Sequence, residues 1–227
     1  MSQEFRYEIK FVLNEANFLT FSNWFHRDTL IYEKHPQRII NSLYFDDTNF
    51  SSVKDNLSGI SDRYKLRLRW YGRHSSDNQH PIIEQKIKQG RLGSKNYFPI
   101  DSLNNNIYQY NVQNISQIVS RELRKQPLLQ DNFLSPTMLV NYERQYFEDH
   151  NDLRITIDNN IRFSIPVYSN TLGQHSWANY NKRILELKFK PESKNYTSRL
   201  IRSLNLVPTR HSKYLTGLAM YGFVNYI

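Results

Sequence analysis

Residues 62–72 read DRYKLRLRWYG. Arg63, Lys65, Arg67 and Arg69 alternate with Tyr64, Leu66, Leu68 and Trp70. Successive side chains of a β-strand point to opposite faces, so the stretch carries four cations on one face and four apolar or aromatic groups on the other. Four like charges on one strand face repel one another unless an anion lies over them. A single basic strand is also what a solvated outer face looks like, so the rest of the chain has to decide.

The same design returns three times. Glu8-x-Lys10, Glu84-x-Lys86 and Glu186-x-Lys188 each lie on an alternating stretch whose other face is apolar. One Glu-x-Lys pair is commonly a surface ion pair. Three of them together with the basic strand favour a closed barrel, in which the inward face of every strand is polar and converges on one channel. The cations of such a lumen neutralise phosphate oxygens, Arg as a planar fork and Lys as a point charge. Its carboxylates suit a hard divalent cation bridging phosphates.

Between these strands the chain alternates sheet and helix signals. Asn14 precedes Phe18, Phe21 and Phe25 at helical spacing, and residues 38–45 read as a strand. A short helix carrying Phe50, Val53 and Leu57 follows Asp46-Asp47. Gly90 and Gly93 mark a hairpin between residues 81–88 and 95–100. Residues 113–125 carry a helical stripe stopped by Pro127. Residues 138–147, 153–164 and 183–189 read as strands, and Ser193 is expected to cap a helix bearing Tyr196, Leu200, Ile201 and Leu204. Residues 212–221 read as a short helix presenting Lys213. The sum is seven or eight strands with two to four helices, an α+β, mainly antiparallel fold closed into a barrel. No linker divides residues 1–227, which are expected to form one domain.

Composition narrows the partners. Lys plus Arg exceed Asp plus Glu by nine, which calls for an anionic partner. The chain has no cysteine, hence neither a disulfide framework nor thiolate chemistry. The scattered histidines lack zinc spacing, and there is no P-loop motif. The N-terminal residues lack the apolar core of a signal peptide, and no run of about 18 apolar residues occurs. A cytoplasmic protein is the expectation. Nucleic acid is not expected as the partner, because Trp70 and Tyr64 fall opposite the cations rather than beside them.

Taken in order, these pieces resemble the VTC domain, the polyphosphate-polymerase branch of the triphosphate tunnel metalloenzymes. The resemblance is carried by Arg6-Tyr7-Glu8-Ile9-Lys10, Ser42-Leu43-Tyr44-Phe45-Asp46, the LRLRWYG run to Gly72, and Ile83-Glu84-Gln85-Lys86. It continues through Lys95, Tyr142-Glu143-Arg144, Leu185-Glu186-Leu187-Lys188 and Ser212-Lys213-Tyr214. It implies an eight-stranded antiparallel tunnel with flanking helices that binds triphosphate and polyphosphate with Mn²⁺ or Mg²⁺. By position, Lys10, Arg67, Arg69, Lys86, Lys95, Arg144 and Lys213 would be phosphate ligands, joined through periodicity by Arg63, Lys65 and Lys188. Glu186 would be the main metal ligand, with Glu84 and Glu8 as helpers. Lys10, Arg67, Arg69, Lys86, Arg144 and Glu186 form the implied catalytic set. The wider superfamily opens with E-x-E-x-K; Arg6 stands at the first acidic position here, in keeping with the VTC branch.

The implied reaction is phosphoryl transfer from the γ-phosphate of ATP to a growing polyphosphate chain threaded through the tunnel, with a diphosphate as leaving group. The same residues would serve a tripolyphosphatase or nucleoside triphosphatase with water as acceptor, which a blocked tunnel would favour. A non-catalytic polyphosphate or nucleic-acid binder is the alternative from another class.

Overall fold

The computed structural model describes residues 5–28, 31–73, 77, 79–103, 106–126 and 133–226. Pro127 lies outside them. The alternating stretches become strands and the amphipathic ones helices. In chain order they are β1 (Arg6–Leu13), α1 (Glu15–Asp28), β2 (Tyr32–Asp46), α2 (Ser51–Leu57), β3 (Arg63–Tyr71), β4 (Ile82–Gln89) and β5 (Leu92–Pro99). There follow α3 (Val112–Arg124), β6 (Ser135–Glu148), β7 (Arg154–Ser164), β8 (Ala178–Tyr180), β9 (Arg183–Phe189), α4 (Lys194–Arg202) and α5 (Lys213–Met220).

Eight strands pair in the order β6-β2-β3-β4-β5-β1-β9-β7, and β7 pairs back onto β6, so the sheet closes on itself. Every pairing is antiparallel. The short β8 adds to β7 beyond the stretch that β9 covers. The β1–β5 seam is brief, Arg6 opposite Gly93 and Tyr7 opposite Leu92. Beyond it the open edge of β1 is taken by the segment before α5, where the Thr209 amide donates to the Lys10 carbonyl at 2.8 Å.

Two cores lie outside the ring. Leu43, Leu66, Leu68, Trp70 and Ile83 pack beneath α3, whose Ile115, Val119 and Leu123 form the buried stripe. Phe11, Leu13, Ile155, Leu185 and Leu187 pack beneath α1 and α4, with Trp24 and Leu204 at the centre. Each fully buried side chain of this size contributes about 1.5–3 kcal/mol, which holds the outward faces of the strands down and commits the charged faces to the inside.

A third core lies within the ring. Val12, Ile40, Tyr44, Met138, Val140 and Ile184 share strand parity with the charged positions and pack around Tyr214, Leu215 and Leu218 of α5. A Cβ on Gly217 would fall 2.7 Å from Phe163 Cδ1 and 2.9 Å from Met138 Sδ, so glycine is what lets this helix sit against the wall. The lumen is therefore shared: α5 occupies the side formed by β2, β6, β7 and β9.

Several local expectations change. The second strand begins at Tyr32, earlier than residue 38, because its first residues are exposed and held by pairing with β6 rather than by an apolar face. The three residues of β8 are too few for a periodicity to show. Ser193 does not cap α4; its hydroxyl donates to the Asn151 carbonyl, and a 3₁₀ turn at Pro191–Ser193 leads into the helix. Asn14 and Ser212 do cap, accepting from the Asn17 and Leu215 amides.

Candidate functional site

Inside the ring, register decides which charges meet. Across β1 and β9, Glu8 stands opposite Lys188 and Lys10 opposite Glu186. Across β3, β4 and β5, Lys65 stands opposite Lys86 and Lys86 opposite Lys95, with Arg63 opposite Lys88 beside them. The first pair of strands neutralises itself. The second builds a wall of like charge, an arrangement that is unfavourable in a sheet unless an anion covers it.

These side chains enclose a cavity of about 330 Å³. Of the residues singled out in the sequence, Glu8, Lys10, Arg63, Lys65, Arg67 and Lys86 line it, as do Lys95, Arg144, Glu186, Lys188 and Lys213. Arg69 and Glu84 do not. Glu84 lies behind the wall, 2 % exposed, with Arg67 Nη2 at 2.6 Å, Arg69 Nη1 at 2.9 Å and Lys95 Nζ at 3.1 Å. Three cations occupy its two oxygens, so it anchors the arginines and leaves no face toward the cavity.

A second buried carboxylate does the same on the opposite wall. Asp158, fully buried on β7, receives Arg144 Nε at 2.5 Å and Nη2 at 2.7 Å and is also paired with Lys213. Arg144 reaches Glu186 at 3.3 Å as well. Burial disfavours the charge on Asp158, but Arg144 and Lys213 outweigh it and hold its pKa below the usual carboxylate range.

The remaining carboxylates face the cavity. Glu8 takes Lys10 at 2.9 Å and Lys86 at 2.9 Å, and Glu186 takes Lys188 at 3.3 Å and Lys10 at 3.9 Å. Burial and the Glu186 charge push the Glu8 pKa up, yet Lys10, Lys86 and Lys188 bring it down to about 2. Glu186 is likewise held well below its ordinary value, burial being outweighed by Lys188, Lys10 and Arg144. Among the described residues, no group of three or more His, Cys, Asp or Glu stands ready to hold a metal. Two ionised carboxylates do fit the smaller demand of Mg²⁺ or Mn²⁺ for one or two protein oxygens completed by substrate and water.

Like charges crowd the lysine wall, where Lys86 and Lys95 have carboxylate partners and, among the described residues, Lys65 forms no ion pair. Burial, then Lys86, Lys10 and Arg63, take the Lys65 pKa well below its ordinary value. Burial also lowers Lys95 strongly, against the pull of Glu84, and lowers Lys86. An anion over the wall would relieve the repulsion.

The sequence reading missed Asp158, Tyr44, Lys88, Tyr142, Tyr226 and the segment 209–212. Asp158 and Lys88 were marked by the alternation of their strands, since each shares a face with residues already read there. Tyr142 lines the cavity, with Arg144 Cζ 5.2 Å and Lys213 Nζ 4.6 Å from its ring centroid. Nothing periodic announces the segment 209–212. It enters the ring through the open edge of β1 and is fixed by contacts of Lys10 Nζ with the His211 carbonyl at 3.0 Å and of Arg210 with the Asn56 carbonyl at 3.1 Å.

Residues 5–221 match the model of the VTC domain family. No curated protein matches the chain. Among solved structures, the fold is similar to that of a candidate adenylyl cyclase from Hippeastrum, HpAC1, described as having a dominant triphosphatase activity. The two share 10% identity, with 96% of each chain covered and a TM-score of 0.54. A candidate adenylate cyclase from Vibrio parahaemolyticus is similar at 11% identity, covering 95% of this chain and 99% of its own, with a TM-score of 0.51. The PH1819 protein of Pyrococcus horikoshii OT3 is similar at 14% identity, 95% and 98% coverage and a TM-score of 0.50. At these identities the likeness is one of fold alone. Among the described residues, no helix is long and apolar enough to cross a membrane.

Proposed function

The chain belongs to the VTC domain family, and from that membership we propose that it is a polyphosphate polymerase-like phosphotransferase. In this reading, residues 1–227 are one VTC-type domain that moves the γ-phosphoryl group of ATP, or of another triphosphate, onto the end of a polyphosphate chain. The observation that carries the proposal is the convergence of cations from β1, β3, β4, β5, β6, β9 and α5 on one cavity beside the Glu8–Glu186 pair.

Phosphoryl transfer asks a protein mainly for in-line positioning and charge stabilisation. Arg67 and Arg144 would hold the γ-phosphate oxygens as forks, each aimed by its own buried carboxylate. Lys86 and Lys95 would take the neighbouring phosphates, with Lys10, Lys188 and Lys213 closing the other side. Arg69, behind Glu84, would act by keeping Arg67 and Lys95 in place. Glu186 with Glu8 would hold Mn²⁺ or Mg²⁺, which when bound supplies charge neutralisation for the departing diphosphate group. The acceptor is already an anion, so it needs no deprotonation.

The second reading, a tripolyphosphatase or nucleoside triphosphatase with water as acceptor, is favoured by α5, which shares the lumen and packs against the wall on its side of the ring. The test is to incubate the protein with ATP and Mn²⁺, with and without a short polyphosphate primer, and to resolve products by chain length. Chains longer than three phosphates support the polymerase. Orthophosphate alone supports the hydrolase, and absence of both refutes turnover.

A further inference from the structure

Five lysines of the cavity, Lys10, Lys86, Lys95, Lys188 and Lys213, are each paired with a carboxylate. Lys88 donates to the Arg91 carbonyl at 2.7 Å, and Lys65 is built differently again. Its Nζ lies 2.8 Å from the Ser212 hydroxyl, and among the described residues it forms no ion pair. Both residues line the cavity. Ser212 is also the N-cap of α5, its Oγ facing the Leu215 amide at 3.5 Å, so its oxygen sits at the positive end of a helix. In these contacts Oγ only accepts, which leaves its own proton free.

We propose that Ser212 is a nucleophile and Lys65 its general base, and that the γ-phosphoryl group passes through a phosphoserine at residue 212. The inference rests on the phosphoryl-transfer reading above. In the first half-reaction Lys65 Nζ takes the hydroxyl proton, Oγ forms a bond to the γ-phosphorus, and the bond from that phosphorus to the bridging oxygen breaks, releasing ADP. In the second, a terminal oxygen of the polyphosphate acceptor bonds to the phosphorus, Oγ leaves, and it regains the proton from Lys65. With water as acceptor the product is orthophosphate. The chemistry is that of a serine activated by an adjacent amine.

Three features of the surroundings support the assignment. The charges acting on Lys65 include Arg63 on its own strand, Lys86 on β4, and Lys10 and Glu8 on β1; three of these four are cations, which together with burial favour the uncharged amine a base requires. Ser212 is held on both sides, by the Thr209 contact with β1 and by the first turn of α5. Finally, α5 confines the cavity to one side of the ring. Direct transfer needs donor and acceptor present together on opposite sides of the phosphorus, whereas a covalent intermediate lets each occupy the same confined space in turn.

The decisive measurement is the stereochemical course at phosphorus with a chiral γ-thiophosphate ATP analogue. Retention, the result of two displacements, supports the intermediate; inversion overturns it. In parallel, γ-³²P-labelled ATP and Mn²⁺ are mixed with the full chain, quenched in acid, and the label is mapped. Phosphoserine at residue 212 is expected, absent in Ser212→Ala. Lys65→Arg is always charged and cannot take a proton. It should lower labelling by about 10²–10⁴-fold, while tripolyphosphate binding by calorimetry stays within a few-fold. Label on another residue, or undiminished turnover in Ser212→Ala, refutes the dyad. Absence of any product from the unaltered chain refutes the phosphotransferase reading itself, a distinct outcome from turnover with inversion.

Discussion

Asp158→Asn tests whether buried carboxylates aim the cations of the lumen. The substitution keeps shape and volume but removes the negative charge that Arg144 grips through two bonds and Lys213 through one. Removing one partner of a buried pair typically costs about 3–5 kcal/mol, because the charge left behind stays desolvated. Arg144 keeps Glu186 at 3.3 Å, so the expectation here is the lower end, about 3 kcal/mol. With a urea slope of about 2–3 kcal/mol per molar, the midpoint should fall by about 1–1.5 M. The sign with pH follows from the depressed pKa of Asp158. Its contribution is fully present above the unfolded value near 3.9 and is lost as pH falls through the lower folded value. The gap between variant and parent should therefore hold steady between about pH 5 and 8 and narrow only in strong acid. Saturating tripolyphosphate should restore much of the loss, since a ligand at about 100 times its Kd adds about 2.7 kcal/mol. A loss below about 1 kcal/mol, or a gap that widens on acidification, would sink the reasoning.

Other consequences can be measured as directly. Glu186→Gln should abolish Mn²⁺-dependent turnover, whereas Glu84→Gln should leave Mn²⁺ affinity unchanged in calorimetry while lowering stability by about 3–5 kcal/mol, since it strands Arg67, Arg69 and Lys95. Equal loss of metal binding in both variants would contradict the division between them. Gly217→Ala should cost about 1–3 kcal/mol through its clash with Phe163 and Met138, with part of that recovered on a Met138→Ala background; a neutral Gly217→Ala would show that α5 is not seated in the ring. Lys65 has a folded pKa below its unfolded one, so the unfolded chain binds more protons between the two values. Its contribution to stability should therefore rise with pH across that window, and tripolyphosphate should flatten the slope in calorimetric melts at several pH values. A slope of the same size in Lys65→Met would refute that source.

The strand alternation made most of the ring readable, because a two-residue period states directly which side chains share a face. It placed Lys10, Lys65, Arg67, Lys86, Arg144 and Glu186 on common faces before any contact was known. It also offered Asp158, on the face of Thr156, but a carboxylate that braces an arginine has the same period as one that faces a ligand. Glu84 shows the same limit from the other side: its Glu-x-Lys spacing matches those of Glu8 and Glu186, yet it stands behind Arg67 with both oxygens taken. Which carboxylate faces the cavity depends on cross-strand register, Arg67 opposite Glu84 and Lys10 opposite Glu186, and register is a property of paired strands rather than of any one stretch.

By itself, then, the sequence determined the alternating strands, the inward charge and the excess of cations, since these follow from local period and charge balance. Only the tertiary structure decided that α5 enters the ring, that Lys65, Lys86 and Lys95 stand in one row across β3, β4 and β5, and that Ser212 meets Lys65. Those contacts join residues as far apart as 65 and 212, whose separation is fixed by the closure of the sheet and by the apolar face of α5, and no local pattern records it.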